Sequence, residues 1–226
     1  MRRHAIALFA IVIVYPFAAI ILAQGQPAVA KAGAVYSDRE SFLAAVGKAL
    51  TDDYTGYGVD AGTAIRLTND EMTAIFGETA YESTSFSDLN LVGNIFIHGD
   101  GSNYCAGCNG NFRLRFDNTS FSKHRTVFGV GVDIVLHTSR RTAVGDVDPG
   151  ETSLEGTVVV EFGDGEIRAF SIPADVGFFG PDPYFFGLTD RRGIRAITVG
   201  VEPLPLRHRW IVDNLTIAAA PKGKKK

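Results

Sequence analysis

The fold class is decided by one segment of the 226-residue chain, GTVVVEFGDGEIRAFSI at residues 156–172. Two apolar stretches, 156–162 and 166–172, flank the sequence Gly163-Asp164-Gly165. Glycine and aspartate tolerate the positive φ angles that tight hairpin turns require. The segment therefore predicts two antiparallel strands joined by a short turn.

Strand patterns recur on both sides of this hairpin. Phe112, Leu114 and Phe116 alternate with Arg113 and Arg115, which is typical of a strand with one dry face. The other predicted strands are 89–97, 111–117, 127–137, 184–188, 194–201 and 210–218. About eight strands at regular spacing, with little helix, indicate a mainly β fold, an antiparallel β-sandwich of the jelly-roll or lectin-like kind. The 16 phenylalanines fit, because facing sheets need bulky side chains between them.

One or two short helices are expected before the strands. Ser37 as the N-cap and Glu40 three residues later have the spacing of a capping box, and they predict a helix that ends before Gly47. A second short helix is predicted over 69–76, with Asn69 as its cap.

The first 30 residues have the features of an export signal. A basic head at 1–4 is followed by an unbroken apolar run over 5–22 and by the small-x-small sequence AVA that ends at Ala30. We expect cleavage near Ala30, since Pro16 disfavours a spanning helix; the alternative is an uncleaved N-terminal anchor. The chain is then secreted, or periplasmic or extracellular, through the general secretory pathway.

The remainder is predicted to be one β-sandwich domain over 31–219, followed by a disordered basic tail over 220–226. Residues 31–221 contain 16 lysines and arginines against 25 acidic residues, a net charge of −9. So acidic a body gives no footprint for nucleic acid or an anionic membrane. Membrane contact is expected only through an uncleaved N-terminal segment.

The two cysteines, Cys105 and Cys108, form the sequence CAGC. A thioredoxin-like centre needs a helix after the first cysteine, whereas Gly and Asn flank this pair and a strand follows. A c-type haem site needs histidine at position 109, which is Asn, and a zinc ribbon needs a second ligand pair. The spacing therefore predicts a local disulfide that shapes a glycine-rich loop.

An acidic loop carries Asp146, Asp148 and Glu151 beside glycine and proline. Crowded carboxylate oxygens on a turn are what calcium binds, although the spacing departs from the EF-hand pattern. A structural calcium site and a solvated acidic loop are the two interpretations.

An aromatic loop, FFGPDPY at residues 178–184, precedes a predicted strand. Aromatic faces on rigid loops stack on sugar rings, and a neighbouring carboxylate accepts sugar hydroxyls. The candidate ligand-binding residues are Tyr184, Asp182 and the more distant Trp210. The alternative is that the segment packs beneath a loop.

Five segments, in order, resemble exported bacterial proteins of the PEP-CTERM type: YSDRESF (36–42), YCAGCNGNF (104–112), FGVGVD (128–133), FFGLTD (185–190) and WIVDNL (210–215). The resemblance implies a jelly-roll or lectin-like sandwich associated with the cell surface and exopolysaccharide. Such proteins carry a C-terminal Pro-Glu-Pro sorting segment, whereas this sequence ends in lysines. A freely secreted or periplasmic domain is therefore expected.

No catalytic motif is present: the histidines lack HExxH spacing and no GxSxG sequence occurs. The leading hypothesis is a non-catalytic secreted domain that binds a glycan or another extracellular surface or matrix component. The alternatives are a carbohydrate-active hydrolase that uses an acidic pair and a structural matrix protein that associates through an exposed sheet edge.

Overall fold

The computed structural model describes residues 33–83, 90–93, 103–105, 112–122, 124–138, 153–175, 183–200 and 208–222. The predicted signal at 1–30 and residues 223–226 of the predicted tail lie outside these ranges. The helices are α1 (Arg39–Ala45) and α2 (Asn69–Phe76), and a 3-10 turn covers Thr55–Tyr57. The strands are β1 (Ala34–Tyr36), β2 (Ala49–Asp52), β3 (Ala64–Leu67), β4 (Ala80–Ser83), β5 (Asn90–Gly93), β6 (Asn103–Cys105), β7 (Phe112–Arg115), β8 (Val127–Thr138), β9 (Ser153–Phe162), β10 (Ile167–Asp175), β11 (Tyr184–Val199) and β12 (His208–Ala218).

The strands form two antiparallel layers. In the first sheet, the N-terminal half of β11 lies between β1 and β8, and β8 pairs on its other side with β12. The far edge of β12 pairs with β2 and with β6. Strand β5 pairs with β6, and β3 pairs with β5 at the edge. In the second sheet, the C-terminal half of β11 lies between β9 and β7, with β10 and β4 at the two edges. The predicted antiparallel β-sandwich is confirmed.

Strand β11 passes from the first sheet to the second. The sequence analysis predicted two strands, 184–188 and 194–201, and this prediction is wrong because one strand runs over Tyr184–Val199. The change of sheet occurs around Gly193, whose φ is 80°, next to a register shift between Ile194 and Ala196. A glycine at positive φ and a bulge bend the strand without ending it.

The predicted hairpin is confirmed, and its strands are longer than predicted. Strands β9 and β10 pair from Ile167 opposite Glu161 out to Asp175 opposite Ser153. At the turn, Gly165 has a φ of 88°. The additional pairs lie at the ends of the strands distant from the turn, beyond the predicted stretches 156–162 and 166–172.

Helix α1 forms where the sequence predicts it, but its cap differs. The N-cap is Asp38, whose carboxylate accepts a hydrogen bond from the Ser41 N–H at 2.8 Å. The sequence predicted Ser37 as the cap, and this prediction is wrong by one residue. Aspartate and serine are both strong N-caps, so spacing alone did not separate them.

Helix α2 has the predicted bounds and a different cap. The Thr68 N–H donates to the Glu71 carboxylate at 2.6 Å, and the Glu71 N–H donates to the Thr68 hydroxyl at 3.3 Å, which makes a capping box. Asn69, the predicted cap, instead accepts hydrogen bonds from the Ser83 N–H and the Asn90 amide at 3.2 and 2.7 Å. Asn69 thereby ties α2 to β4 and β5.

The main core fills the space between the two sheets. Its members include Val130, Val132 and Ile134 from β8 and Val158, Val160 and Phe162 from β9. Alternate residues of each strand therefore face the opposite layer, as sandwich packing requires.

Helix α1 covers the outer face of the first sheet. Phe42 is fully buried there against Phe185 and Ala218. Below its ring lie Gly129 and Gly131, where an added Cβ would be 3.2 and 2.9 Å from Phe42 ring carbons. The glycines of the FGVGV sequence thus make room for the helix.

Candidate functional site

The structure locates two of the three predicted ligand-binding residues. Tyr184 begins β11, is half-buried and packs against the main core. Trp210 lies in β12, with Leu136 as its Cα partner in β8. Asp182 lies outside the described residues. Part of the Tyr184 side chain is therefore buried against the core and is not open to a ligand.

Most of the predicted metal and disulfide residues lie outside the residues that the structure describes. Asp146, Asp148, Glu151 and Cys108 fall in segments that are not described, and the backbone of Cys105 ends β6 opposite Ile211. The calcium site and the disulfide stay predictions. Among the described residues, no three histidine, cysteine, aspartate or glutamate side chains are grouped to hold a metal ion. No helix in the described part of the chain is long and apolar enough to cross a membrane.

A cleft of about 530 Å³ lies beside the segment of β11 that passes between the sheets. This volume is within the usual range of about 300–1,000 Å³ for small-molecule sites. We call it the crossover cleft. It is lined by Phe121, Ser122, His124, Thr126, Phe128, Gly163, Asp164, Asp190, Arg191, Arg192, Gly193, Ala219 and Ala220.

The cleft is built around an Arg192–Asp190 ion pair. The Arg192 Nε and Nη2 atoms donate to the two Asp190 carboxylate oxygens at 3.0 and 2.9 Å, and the Arg192 backbone N–H donates to the same carboxylate at 2.8 Å. The Asp190 side chain is only 1% exposed. Burial alone would raise the pKa of Asp190, but the hydrogen bonds from Arg192 outweigh it and hold this pKa below its usual value. Asp190 therefore stays ionised and fully engaged.

Two further acids hold the same guanidinium. Arg192 Nη1 is bonded to the Glu166 carboxylate and lies 3.4 Å from an Asp164 carboxylate oxygen. The guanidinium carbon is 4.1 Å from the centre of the Phe162 ring. With all its donor groups occupied, Arg192 is a fixed structural element beside the cleft.

Glycine lets three chain segments meet here. The Gly163 N–H donates to the Gly193 carbonyl at 2.9 Å, which joins the hairpin turn to β11. A Cβ on Gly193 would be 2.3 Å from the Thr126 hydroxyl oxygen. Because no side chain fits at that distance, the segment before β8 can approach β11 only at a glycine.

Two half-buried phenylalanines, Phe121 and Phe128, form the apolar part of the cleft. The segment that carries Phe121 is held by Glu78, which accepts hydrogen bonds from the Thr119 hydroxyl at 2.9 Å and from the Ser120 N–H at 2.6 Å. Burial raises and these hydrogen bonds lower the pKa of Glu78, with a net shift downward. The Phe121 ring is thereby fixed at the cleft.

The polar part of the cleft retains unused groups. His124 and Arg191 are exposed, and neither side chain has a hydrogen bond or ion pair with another described residue. Asp164 is about half exposed, at 48%, but its carboxylate accepts a hydrogen bond from the Glu166 N–H at 3.0 Å and lies 3.4 Å from Arg192 Nη1. The crossover cleft therefore combines aromatic surface with uncommitted hydrogen-bonding side chains.

A second polar cluster lies where α1 meets the outer face of the first sheet. Arg39 donates to Asp133 at 2.9 Å, to the Thr216 hydroxyl at 2.8 Å and to the Asn214 carbonyl at 3.0 Å. The Asn214 amide also donates to Asp133, at 3.0 Å, next to a register shift in β12. Asp213 is the Cα partner of Asp133.

The two carboxylates of this cluster differ in environment. Burial raises the pKa of Asp213 to about 6; the Asn214 N–H lowers it, and the Asp133 charge adds to the rise. Asp133 is held by Arg39 and Asn214. Because Arg39 and Asp133 fasten α1 to the irregular strand β12, and Asp213 accepts a hydrogen bond from the Asn214 N–H within that strand, we assign this cluster a structural role.

Sequence reasoning missed the residues of the crossover cleft. Its two available signals were the turn Gly163-Asp164-Gly165, identified only as a hairpin, and the charged sequence TDRRG at 189–193, which lies inside an otherwise apolar strand pattern. A charged interruption in a strand that does not end there indicates a site with its own ion pairs.

No protein-family model and no curated protein matches this chain. Several solved structures do. A family 29 carbohydrate-binding module in complex with mannohexaose is 11% identical, with a TM-score of 0.35 over 77% of this chain and 93% of that chain. The family 11 carbohydrate-binding module of a cellulosomal cellulase from Clostridium thermocellum is 10% identical, with a TM-score of 0.31 over 78% and 97%.

An exo-β-agarase is 14% identical, with a TM-score of 0.33; the match covers 78% of this chain and 26% of that chain. At these identities and TM-scores, the similarity carries no argument about ligand or activity.

Proposed function

We propose that this chain is a secreted, non-catalytic domain that binds a carbohydrate in the crossover cleft. The observation that carries the proposal is the combination, in one cavity of about 530 Å³, of aromatic surface with uncommitted polar side chains. Phe121 and Phe128 supply the aromatic surface, and His124 and Arg191 supply the polar groups.

This combination suits the chemistry of a sugar. One face of a pyranose ring presents C–H groups, which pack on an aromatic surface, while the hydroxyls at its edge need hydrogen-bond partners. The cleft supplies both, and its walls are fixed by the Arg192–Asp190 pair and by the hydrogen bonds of Glu78. A rigid site loses little conformational entropy when a ligand binds.

The same geometry favours binding over hydrolysis. Glycoside cleavage needs two carboxyl groups on either side of the scissile bond, one of them able to donate a proton. In the cleft, both oxygens of Asp190 are engaged by Arg192, which leaves Asp164 as the single half-exposed acid among the lining residues. A single half-exposed carboxylate, which itself accepts a hydrogen bond from the Glu166 N–H and lies beside Arg192, does not supply an acid pair.

Substitution of Phe121 tests the proposal. The secreted protein is titrated with a panel of neutral and acidic polysaccharides, and Phe121→Ala is expected to weaken binding to the best polymer about tenfold, or about 1.4 kcal/mol. Leu43→Ala is the matched control, because Leu43 is an exposed apolar residue of α1, 42% exposed, that does not line the cleft.

Equal affinity of the Phe121 variant and the wild-type protein would place the binding site elsewhere. If neither protein bound any polymer, with or without added calcium, the proposal itself would be overturned. Thermal unfolding of both variants checks that a loss of binding is not a loss of fold.

A further inference from the structure

The acidic residues at the crossover cleft are paired within the protein, and three carboxylates with two guanidiniums leave one net negative charge. Asp190 is paired with Arg192 through two carboxylate oxygens. Glu166 is bonded to Arg192 and also to Arg168, whose Nη2 atom is 2.5 Å from the Glu166 carboxylate. Asp164 lies beside Arg192 at 3.4 Å. These carboxylates therefore present a much reduced negative field to a ligand.

The other basic side chains that line the cleft, in contrast, have no such partners among the described residues. Arg191 and His124 line it and are exposed, and Arg125 follows His124 and is exposed as well. Within the described residues, none of the three side chains has a hydrogen bond or an ion pair. Lys48 is also exposed, and its ammonium lies 5.6 Å from the centre of the Phe121 ring. These four side chains form the basic rim.

The basic rim contrasts with the charge of the whole domain. Residues 31–221 carry a net charge of −9, so repulsion would normally keep anionic polymers away. The Arg191 and His124 side chains line the cavity without a hydrogen bond or ion pair to another described residue, so they are placed to receive a negatively charged group. Arg125 is held there in a left-handed conformation, with a φ of 57°, which is uncommon for a residue other than glycine.

We infer that the crossover cleft binds an anionic glycan, with a carboxylate or sulfate group of the sugar held by Arg191 and His124 while Phe121 contacts the sugar ring. The inference rests on the proposed function and names its ligand class. A guanidinium presents parallel N–H donors that match two oxygens of a carboxylate or sulfate. The nearby imidazole adds a further donor from the segment before β8.

The test compares three polymers: polygalacturonate with carboxylates, a sulfated galactan, and a neutral β-glucan. Binding is measured by titration calorimetry with the whole secreted protein at low and high salt. The better anionic polymer is expected to bind at least tenfold more tightly than the neutral one. Arg191→Gln should weaken binding to the better anionic polymer about tenfold. The double variant Arg191→Gln with His124→Gln should bind anionic and neutral polymers with equal affinity.

Arg66→Gln is the matched control. Arg66 is an exposed arginine of β3 that does not line the cleft, and its substitution changes the net charge by the same amount. Less than a twofold change in affinity is expected for this variant. An equal loss in Arg66→Gln and Arg191→Gln would show nonspecific charge attraction and overturn the inference.

The remaining outcomes separate the inference from the proposed function. Equal affinity for the neutral and anionic polymers would overturn the inference while leaving carbohydrate binding in place. Binding to no polymer would overturn both. A preference for polygalacturonate over the sulfated galactan, or the reverse, would identify the anionic group while supporting the inference.

Discussion

Substitution of Gly131 by alanine tests how α1 is docked on the first sheet. Gly131 lies in β8 beneath two aromatic rings, and an added Cβ would be 2.9 Å from a ring carbon of Phe42 and 2.9 Å from a ring carbon of Phe185. Phe42 is fully buried and Phe185 is 7% exposed, so neither ring can move without disturbing its neighbours. Overpacking of this kind costs about 1–3 kcal/mol, and we expect about 2 kcal/mol for Gly131→Ala.

The double variant gives the sharper expectation. Phe42→Ala alone should lower the free energy of unfolding by about 3–4 kcal/mol, within the usual range of about 3–5 kcal/mol for loss of a buried phenylalanine ring. With the Phe42 ring absent, the methyl group added by Gly131→Ala has room, and the Phe185 ring can shift into the vacated space. The two substitutions together should therefore cost about 3–4 kcal/mol, which is a coupling energy of about 2 kcal/mol.

Urea denaturation of the four proteins measures this cycle, provided that the slope m stays constant. Leu43→Ala, an exposed position on the same helix, is the control and should change stability by less than about 0.5 kcal/mol. Additive effects of the two substitutions, to within about 0.5 kcal/mol, would contradict the placement of the Phe42 ring over Gly131.

Two further predictions concern a carboxylate and a glycine. The folded protein raises the pKa of Asp213 from 3.8 to about 6, so this group favours folding below about pH 4. That contribution to the free energy of unfolding is lost as the pH rises to 6. Asp213→Asn should therefore raise stability at pH 7 by about 1 kcal/mol, after allowance for partial exposure of the carboxyl group. Thermal unfolding from pH 4 to pH 7 measures it, and an unchanged pH slope would contradict the environment assigned to Asp213. Gly193→Ala should cost about 3 kcal/mol, because its φ is 80° and its Cβ would overlap a threonine hydroxyl. Gly165 has a φ of 88°, and no atom lies within 4 Å of a Cβ added there, so Gly165→Ala should cost only about 1 kcal/mol. If urea denaturation gave equal losses of unfolding free energy for Gly165→Ala and Gly193→Ala, the close packing around Gly193 would be contradicted.

The sequence predicts the parts of the fold that depend on neighbouring residues. The β9–β10 hairpin was identified because its turn chemistry lies in three consecutive residues, Gly163 to Gly165. The bounds of α2 were also identified from local signals, Asn69 at its start and Gly77 after its end, although its cap is Thr68. The short strand β1 was missed, because its three residues become a strand only through pairing with β11, which lies far along the chain.

The predicted break in β11 has a related cause. Charged residues and a glycine at 189–193 are typical of a loop, yet Asp190 is only 3% exposed within the strand because Arg192 satisfies its carboxylate. Local polarity was interpreted as exposure, whereas the ion pair made burial possible. A pairing of this kind is decided by the three-dimensional arrangement.

The crossover cleft could not have been predicted as a site. Its lining residues come from the segment before β8 and the start of that strand, the β9–β10 turn, the middle of β11 and the two residues after β12, and they share no sequence motif. The predicted candidates Tyr184 and Trp210 were chosen because they are aromatic and near turns. In the structure, Tyr184 and Phe121 both pack partly against the core, but only the less conspicuous Phe121 also lines the cavity.

Amide chemical-shift mapping with an oligogalacturonate is the most direct test of the central claim, that the crossover cleft is the binding site for an anionic glycan. The claim predicts that shift changes on titration concentrate in residues 121–122, 124–128, 163–164 and 190–193, and that Arg191→Gln needs about tenfold more ligand to produce the same changes. Changes concentrated instead on another surface, such as the outer face of β7 around Arg113, or no change at saturating ligand, would contradict it.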